Sequence, residues 1–331
     1  MNFLTRNIKY ISVVVFLLVV GAVVYFSNTD KPHENSFFAL DTQVSFKVYC
    51  DRKTANTAFA DARSFLTDFE NEISLYKESG FAYQFEKLQN GEKLEMSETV
   101  RELVAISNKA SGLTDGCFDI TTAPLSRLWN VTKNTTPPAD SDIAKALENV
   151  GYTKLKTEEH FLIKTDATID FGAVAKGYAS DKVKEIFEKN GISGGVINLG
   201  GNVTVFGKNP NKDSFAVGIT DPSDPSEICA AVYVNNENVI TSGAYQRYFE
   251  YGGEIYHHIL SPFDGYPSKS DVASVTVISS DGALADALST AAFVSGSQKG
   301  LQYIENAGAK AFIVKKSGDI IASDGIIYEK R

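Results

Sequence analysis

Cysteine and histidine are scarce in this 331-residue chain, which contains three cysteines and four histidines. The cysteines, Cys50, Cys117 and Cys229, are too few and too widely spaced for a disulfide framework or a zinc site. Oxidising surroundings could still pair two of them and leave one over. Basic residues are also in deficit, because 32 lysines and arginines face 41 acidic residues and give a net charge of -9. This balance argues against nucleic acid as a partner.

Hydrophobic residues make up 43% of the chain, enough for a substantial core. A continuous apolar run at residues 10–26 follows Arg6 and Lys9 and has about the minimum length of a membrane-spanning helix. The preceding positive charges place its N-terminal end in the cytoplasm. A secretory signal peptide is the alternative, although no A-x-A-like cleavage site follows. We therefore predict a membrane anchor over residues 1–30 and one extracytoplasmic domain over residues 31–331.

The periodicity of the remaining sequence predicts a mixed structure without internal repeats. Strands are expected at residues 37–50, 161–169, 195–206, 215–219, 229–234, 273–279 and 310–315. Helices are expected at residues 55–76, 98–110, 142–149, 174–189, 283–294 and 298–307. Because several strands follow one another late in the chain, the pattern indicates the α+β class.

The segment 170–202 combines a carboxylate, a lysine and several glycines around one predicted helix. Gly172 and Gly177 allow the backbone to approach a ligand closely, and Lys176 supplies a mobile positive charge. Amides at the start of a helix also favour anions. The segment contains neither a GxGxxG nor a GxxxxGK(S/T) pattern, so a Rossmann or P-loop site has no support. It predicts either a site for a phosphorylated ligand or tight turns beside a surface lysine.

Two of the four histidines, His257 and His258, are neighbours in an aromatic segment that precedes a loop rich in proline and glycine. If the segment is a strand, the two side chains point to opposite faces, so only one can reach a given site. A histidine near neutral pKa can accept a proton from a substrate hydroxyl. The alternative is that both are packed or partly exposed residues of the strand.

The segment 281–296 reads as a buried, alanine-rich helix with the carboxylate of Asp286 among its apolar residues. Asp286 and Thr290 are four residues apart and therefore lie on one helical face. Hard oxygen ligands of this type suit magnesium that contacts substrate phosphates. Alternatively, the Asp286 carboxylate is bonded to Thr290 or to backbone amides.

Six segments in order along the chain are similar to the ApbE family, the flavin transferases also called FAD:protein FMN transferases. They are GCFDITTAPLSRLWN at residues 116–130, DFGAVAKGYASD at 170–181, INLGGNVTVFG at 197–207, TSGAYQRYF at 241–249, YHHILSPFDGYP at 256–267 and ALADALSTAAFV at 283–294. Each segment alone is weakly diagnostic, but six in register are highly specific. The resemblance covers nearly the whole chain after about residue 36 and implies a single catalytic domain of this type.

The resemblance also implies roles for particular residues. Magnesium would be held by the side chains of Asp286 and Thr290 and by the backbone carbonyl of Ala173. FAD contacts correspond to Leu40, Tyr76, Cys117, Phe118, Asp119, Asp170, Lys176 and the backbone at Leu260. His258 matches the histidine that precedes the I-x-D-P turn in the family. The chain departs from the pattern at Ser261, which replaces an aspartate, at Ala244, which replaces a polar residue, and at Leu40-Asp41, which replace Met-Gly.

The implied activity is magnesium-dependent cleavage of FAD, with FMN attached to a threonine of an exported flavoprotein and AMP released. His258, or the metal-linked carboxylate of Asp286, would take the proton of the acceptor hydroxyl. With water as the acceptor the same chemistry would yield free FMN and AMP. The alternatives are therefore an FAD pyrophosphatase and a non-catalytic flavin-binding protein.

Overall fold

The computed structural model of the protein describes residues 32–331. The predicted membrane anchor at residues 1–30 lies outside this range. Within it, no helix combines the length and the apolar character needed to cross a membrane.

Three of the described α-helices, the first, the third and the seventh along the chain, begin at a residue whose side chain caps the helix. Asp51 accepts hydrogen bonds from the amides of Lys53 and Thr54, and Ser97 accepts one from Val100. Such caps satisfy amides that have no partner within the helix. The helices are α1 Arg52–Ile73, α2 Phe81–Lys87, α3 Glu98–Leu113, α4 Ala123–Trp129, α5 Asp140–Leu147, α6 Ala175–Lys189, α7 Gly282–Ser295 and α8 Ser297–Asn306.

The strands form one large sheet and three small ones, and all named strand pairs are antiparallel. In chain order they are β1 Pro32–Ala39, β2 Thr42–Tyr49, β3 Lys93–Glu95, β4 Lys156–Glu158, β5 Phe161–Ile163, β6 Gly194–Leu199, β7 Asn202–Gly207, β8 Phe215–Thr220, β9 Ile228–Val234, β10 Asn238–Gly243, β11 Tyr248–Tyr251, β12 Glu254–His257, β13 Val272–Ser279, β14 Lys310–Lys315, β15 Ile320–Ala322 and β16 Tyr328–Lys330. The eight-stranded sheet has the order β1-β2-β6-β7-β10-β13-β14-β15.

Alternating side chains of this sheet supply two separate cores. Ile240 and Val277 belong to the main core, which the sheet shares with α1, α3, α6, α7 and α8. Val239, Ile278 and Phe312 point the other way and pack against the three-stranded sheet β16-β9-β8. The domain is thus layered as helices, large sheet and small sheet, in agreement with the predicted α+β class.

The predicted helices at the six positions are confirmed to within three residues at each end. Two predicted strands are wrong, because residues 37–50 and 195–206 each form a hairpin. Leu40 and Asp41 turn the first hairpin with φ of 52° and 55°, and Gly200 and Gly201 turn the second. Two-residue turns interrupt the apolar pattern so briefly that each hairpin resembles one long strand.

The third strand error is at residues 161–169, where only Phe161–Ile163 is extended in a sheet. After it, the buried Lys164 turns its amine onto the carbonyls of Thr165 and Ala167, at 2.7 Å each. These bonds satisfy the amine within a compact loop, so the chain leaves the sheet there. Short elements such as α2, α4, β3, β11 and β12 were not predicted.

Helices α6 and α7 cross at two glycines. A Cβ added to Gly177 would lie 2.1 Å from the carbonyl oxygen of Gly282, a separation that side chains do not tolerate. The close approach allows the amide of Gly177 to donate to the carboxylate of Asp286 at 2.9 Å. Glycine at this position therefore determines the distance between the two helices.

We expect Gly177→Ala to lower the free energy of unfolding by about 1–3 kcal/mol, because the added methyl group forces the helices apart. Gly112→Ala is the matched control, since Gly112 lies in α3 with no atom within 4 Å of the added Cβ. That substitution should raise the stability by about 0.5–1 kcal/mol through helix propensity. Urea denaturation of both variants measures the difference, and equal effects would contradict the close-packing argument.

Candidate active site

One cavity of about 730 Å³ opens at the end of the large sheet where the β1–β2 and β6–β7 turns lie. This volume is within the range of small-molecule and cofactor sites. All twelve predicted site residues line it, namely Leu40, Tyr76, Cys117, Phe118, Asp119, Asp170, Ala173, Lys176, His258, Leu260, Asp286 and Thr290. Segments separated by up to 250 residues in sequence therefore meet at one place.

Asp286 is only 3% exposed and lies on α7 facing the cavity. One carboxylate oxygen accepts from the Gly177 amide at 2.9 Å and the other from the side-chain amide of Asn202 at 3.1 Å. None of the ion pairs among residues 32–331 includes this carboxylate. A buried negative charge with only neutral donors around it favours a cation at the site.

Hydroxyl groups lie beside Asp286, and together with its carboxylate the hydroxyls of Ser242, Ser289 and Thr290 form the oxygen cluster. Ser242 Oγ lies 2.7 Å from Ser289 Oγ and 3.3 Å from Thr290 Oγ1. Residues 32–331 contain no cluster of three or more histidine, cysteine, aspartate and glutamate side chains suited to a metal. The donors here are instead one carboxylate and hydroxyls, and this hard oxygen set fits magnesium. Ala173 lines the same cavity.

One amide in the first turn of α6 has a partner within the protein. The Gly177 amide donates to Asp286, so it is not available to a ligand anion. This bond agrees with the alternative given for Asp286, in which the carboxylate bonds to Thr290 or to backbone amides. Its other proposed partner, Thr290, contacts Ser242.

A second acidic residue, Asp181, fixes the start of α7 and was not predicted. Its carboxylate accepts from the amides of Gly282 and Ala283 at 2.8 and 3.2 Å and from the side chain of Asn238 at 3.1 Å. Burial raises the pKa of Asp181 to about 6. The sequence could have indicated Asp181, because it ends the DFGAVAKGYASD segment and lies one helical turn after Gly177.

The two histidines have different environments, as strand alternation predicted. His257 ends β12, is buried, and packs edge-on against Phe293. Its Nε2 donates to the Ser268 carbonyl at 3.1 Å, because a carbonyl can only accept, and its Nδ1 accepts from the Ile259 amide at 3.3 Å. Both ring nitrogens of His257 are therefore engaged within the fold, and the residue does not line the cavity.

His258 lines the cavity, and its ring orientation follows from one contact. Its Nδ1 lies 3.2 Å from the backbone carbonyl of Arg247, so Nδ1 carries the proton. Nε2 of the neutral ring is then the acceptor. Burial, with the nearby charges of Arg247 and Lys176, lowers the pKa of His258 to about 3. The ring is consequently neutral at physiological pH, and it is a weaker base than the near-neutral histidine that the sequence predicted.

Two other predicted carboxylates at the cavity wall, Asp119 and Asp170, differ in how many hydrogen bonds they accept within the protein. The Asp119 side chain accepts from the amides of Thr121 and Tyr152, both at 2.7 Å, and so stabilises its own loop. Asp170 accepts from the Gly172 amide at 2.8 Å. Burial raises the pKa of both carboxyls, although Arg127, Arg247 and Lys176 partly offset this at Asp170.

Three charged lining residues were not predicted as site residues: Asp41, Glu70 and Arg247. The arginine was visible within the segment TSGAYQRYF, but nothing in the sequence marked it as a neighbour of Asp41. Of the three departures from the family pattern, Ser261 and Ala244 do not line the cavity. Leu40 and Asp41 line the cavity, so of the three departures only this one changes residues of the cavity wall.

Comparisons with known proteins agree with this geometry. The sequence profile of the ApbE family matches residues 40–313, and the chain belongs to that family. An FAD:protein FMN transferase of Klebsiella pneumoniae (strain 342) is 33% identical over 235 residues, which are 69% of this chain and 72% of the relative. One of Salmonella typhimurium is 29% identical over 257 residues, 75% of this chain and 73% of the relative.

Solved structures extend the similarity to the fold. The ApbE protein of Thermotoga maritima is 32% identical and superposes with a TM-score of 0.83 over 89% of this chain and 97% of that chain. The apo form of Pseudomonas stutzeri flavinyl transferase ApbE is 28% identical and has a TM-score of 0.80, over 89% and 95% of the two chains.

The lowered pKa of His257, about 4 against 6.5 for an ordinary histidine, predicts a loss of stability in acid. The unfolded chain binds a proton that the folded chain excludes, so stability falls as the pH drops from 6.5 towards 4. In His257→Gln, which retains a donor and an acceptor, this part of the loss should vanish, on the order of 2–3 kcal/mol. Urea denaturation at about pH 7 and about pH 4.5 measures it. Parallel pH dependences for parent and variant would contradict the assignment.

Proposed function

We propose that the protein is a magnesium-dependent FAD:protein FMN transferase that attaches FMN to a threonine of an exported flavoprotein. The observation that carries this proposal is that one cavity brings together an oxygen cluster at Asp286, a cationic side chain at Lys176 and a neutral histidine acceptor at His258. Similar proteins named FAD:protein FMN transferases support the same activity.

The residues of the oxygen cluster are suited to magnesium in this proposal. Asp286, Thr290 and the Ala173 carbonyl would hold the ion, which neutralises charge on the FAD pyrophosphate when bound. Asn202 and the Gly177 amide orient the carboxylate through the hydrogen bonds described above. Lys176 contributes a further positive charge on the same wall.

The transfer step follows from the position of His258. The threonine oxygen attacks the phosphorus of the FMN half, the bond to the bridging oxygen breaks, and AMP leaves. His258 Nε2 takes the hydroxyl proton, because Nδ1 is already engaged with Arg247. The products are a phosphate ester of the acceptor threonine and AMP. If water replaces the threonine, the products are FMN and AMP.

The direct test incubates the protein with FAD, magnesium and a candidate acceptor domain, with and without the acceptor. Mass spectrometry should find FMN covalently bound to the acceptor, and AMP should appear in equal amount. Free FMN and AMP without acceptor modification would identify a pyrophosphatase. Binding of FAD without AMP release would leave only a flavin-binding protein.

In the same assay, Asp286→Asn should reduce AMP release by about a hundredfold, since it removes the one charged oxygen ligand of the cluster. Asp324→Asn is the control, because Asp324 is exposed and does not line the cavity. Restoring magnesium to high concentration should recover part of the activity of Asp286→Asn if weaker metal binding is the cause. Full activity of that variant at low magnesium would exclude the metal assignment.

The neighbouring histidines provide a matched pair for the proton acceptor. His258→Gln keeps a donor for the Arg247 carbonyl but cannot take a proton, so transfer should slow by about 10²–10⁴-fold. His257→Gln should remain within about threefold of the parent, because His257 does not line the cavity. Quenching of flavin fluorescence reports FAD binding separately. If His258→Gln loses FAD binding and retains turnover, the residue positions the flavin and another group takes the proton.

We also propose that residues 1–30 anchor the protein in the cell membrane with residues 31–331 on the extracytoplasmic side. The apolar run at residues 10–26 and the positive residues before it support this arrangement. A chain lacking residues 1–27 should be recovered soluble and active, whereas the full chain should sediment with membranes. Recovery of the full chain in the soluble fraction would contradict an anchor.

A further inference from the structure

The turn between β1 and β2 has an unfavourable backbone conformation at the wall of the cavity. Leu40 and Asp41 both have positive φ, 52° and 55°. Such turns ordinarily use Asn-Gly or Gly-Gly, because a left-handed conformation brings the Cβ of other residues too close to the backbone. Both residues line the cavity. A strained conformation at this position persists only if surrounding contacts determine it.

Glu70, near the end of α1, provides the first contact. Its Oε2 accepts from the backbone amide of Leu40 at 2.9 Å, and its Oε1 accepts from Lys77 Nζ at 2.9 Å. Lys77 follows Tyr76, which is 74% exposed at the cavity mouth. Glu70 therefore connects the strained turn to the segment that carries Tyr76.

Arg247 provides the second contact from the opposite side. Its Nη2 lies 2.9 Å from Asp41 Oδ2 and 3.2 Å from the Asp41 carbonyl oxygen. The carbonyl of Arg247 accepts from both the amide and the ring Nδ1 of His258, at 3.1 and 3.2 Å. The turn is thus joined through one residue to the proposed proton acceptor.

We propose that Glu70 and Arg247 are positioning residues that hold the Leu40–Asp41 turn in its left-handed conformation and thereby set the affinity for FAD. The inference rests on the proposed FAD site and adds residues to it. Without the two contacts the turn relaxes to a less strained form, which withdraws Leu40 from the cavity wall. The effect falls on binding of FAD, whereas the oxygen cluster at Asp286 keeps its own contacts.

The first test uses the full chain and a matched pair of glutamates on α1. Glu70→Ala should raise the Kd for FAD about tenfold and leave kcat at saturating FAD within about twofold. Glu72→Ala is the control, since Glu72 lies two residues away and does not line the cavity. In a Leu40→Gly background, where the residue bonded to Glu70 adopts positive φ without strain, Glu70→Ala should raise the Kd by threefold or less relative to that background. An equal effect in both backgrounds would overturn the proposal.

The second test asks whether Arg247 acts through the turn or binds FAD itself. Asn tolerates the left-handed conformation, so Asp41→Asn removes the charge that holds Arg247 without adding strain. If Arg247 positions the turn, the Kd for FAD should rise about threefold or more. An unchanged or lower Kd would overturn the proposal and indicate that the released arginine contacts FAD. Thermal unfolding of each variant checks that the fold is retained.

The outcome for the parent protein separates this inference from the proposed function. If the parent neither binds FAD nor releases AMP, the proposed function fails and this inference fails with it. If the parent is active and Glu70→Ala matches Glu72→Ala in Kd, only the positioning role is excluded.

Discussion

The buried carboxylate of Asp286 is the constraint on which the site depends. A charge in an apolar helix is costly unless polar partners surround it. Here the Gly177 amide and Asn202 provide them, and this requires α6 to approach α7 so closely that only glycine fits at Gly177. Asp181 fixes the same crossing one turn away by binding the first amides of α7. The position of Lys176 relative to Asp286 follows from this crossing.

The cavity is formed where hairpin turns and helix ends meet at one end of the sheet. The turns after β1 and β6 and the end of β10 are neighbours there because β2 pairs with β6, β6 with β7 and β7 with β10. The rigid sheet thus positions loops that have little regular structure of their own. Trp129 extends this support by donating to the Gly265 carbonyl at 2.7 Å and stacking on Tyr256, which steadies the loop after His258.

Positive groups offset part of the negative charge of the cavity, whose charged lining is five carboxylates and two basic side chains. Burial raises the pKa of Asp170, while Arg127, Arg247 and Lys176 act in the opposite direction at the same carboxyl. Desolvation, with the charges of Arg247 and Lys176, also keeps His258 uncharged. A neutral acceptor beside fixed positive groups is suited to phosphoryl chemistry, in which the protein mainly positions and neutralises the reacting groups.

The sequence by itself determined the α+β class and the main helices, because the helical period of residues such as Val183 and Phe187 is a local signal. The family resemblance named twelve candidate site residues, and these line one cavity. Strand alternation also separated His258 from His257. Only the tertiary structure revealed the two hairpins, the engagement of the Gly177 amide by Asp286, and the contacts of Glu70 and Arg247 with the Leu40–Asp41 turn. The hairpins were missed because their two-residue turns barely interrupt the apolar pattern. The other contacts join residues 30 to about 200 positions apart, whose approach is decided by sheet register and helix packing and leaves no local pattern in the chain.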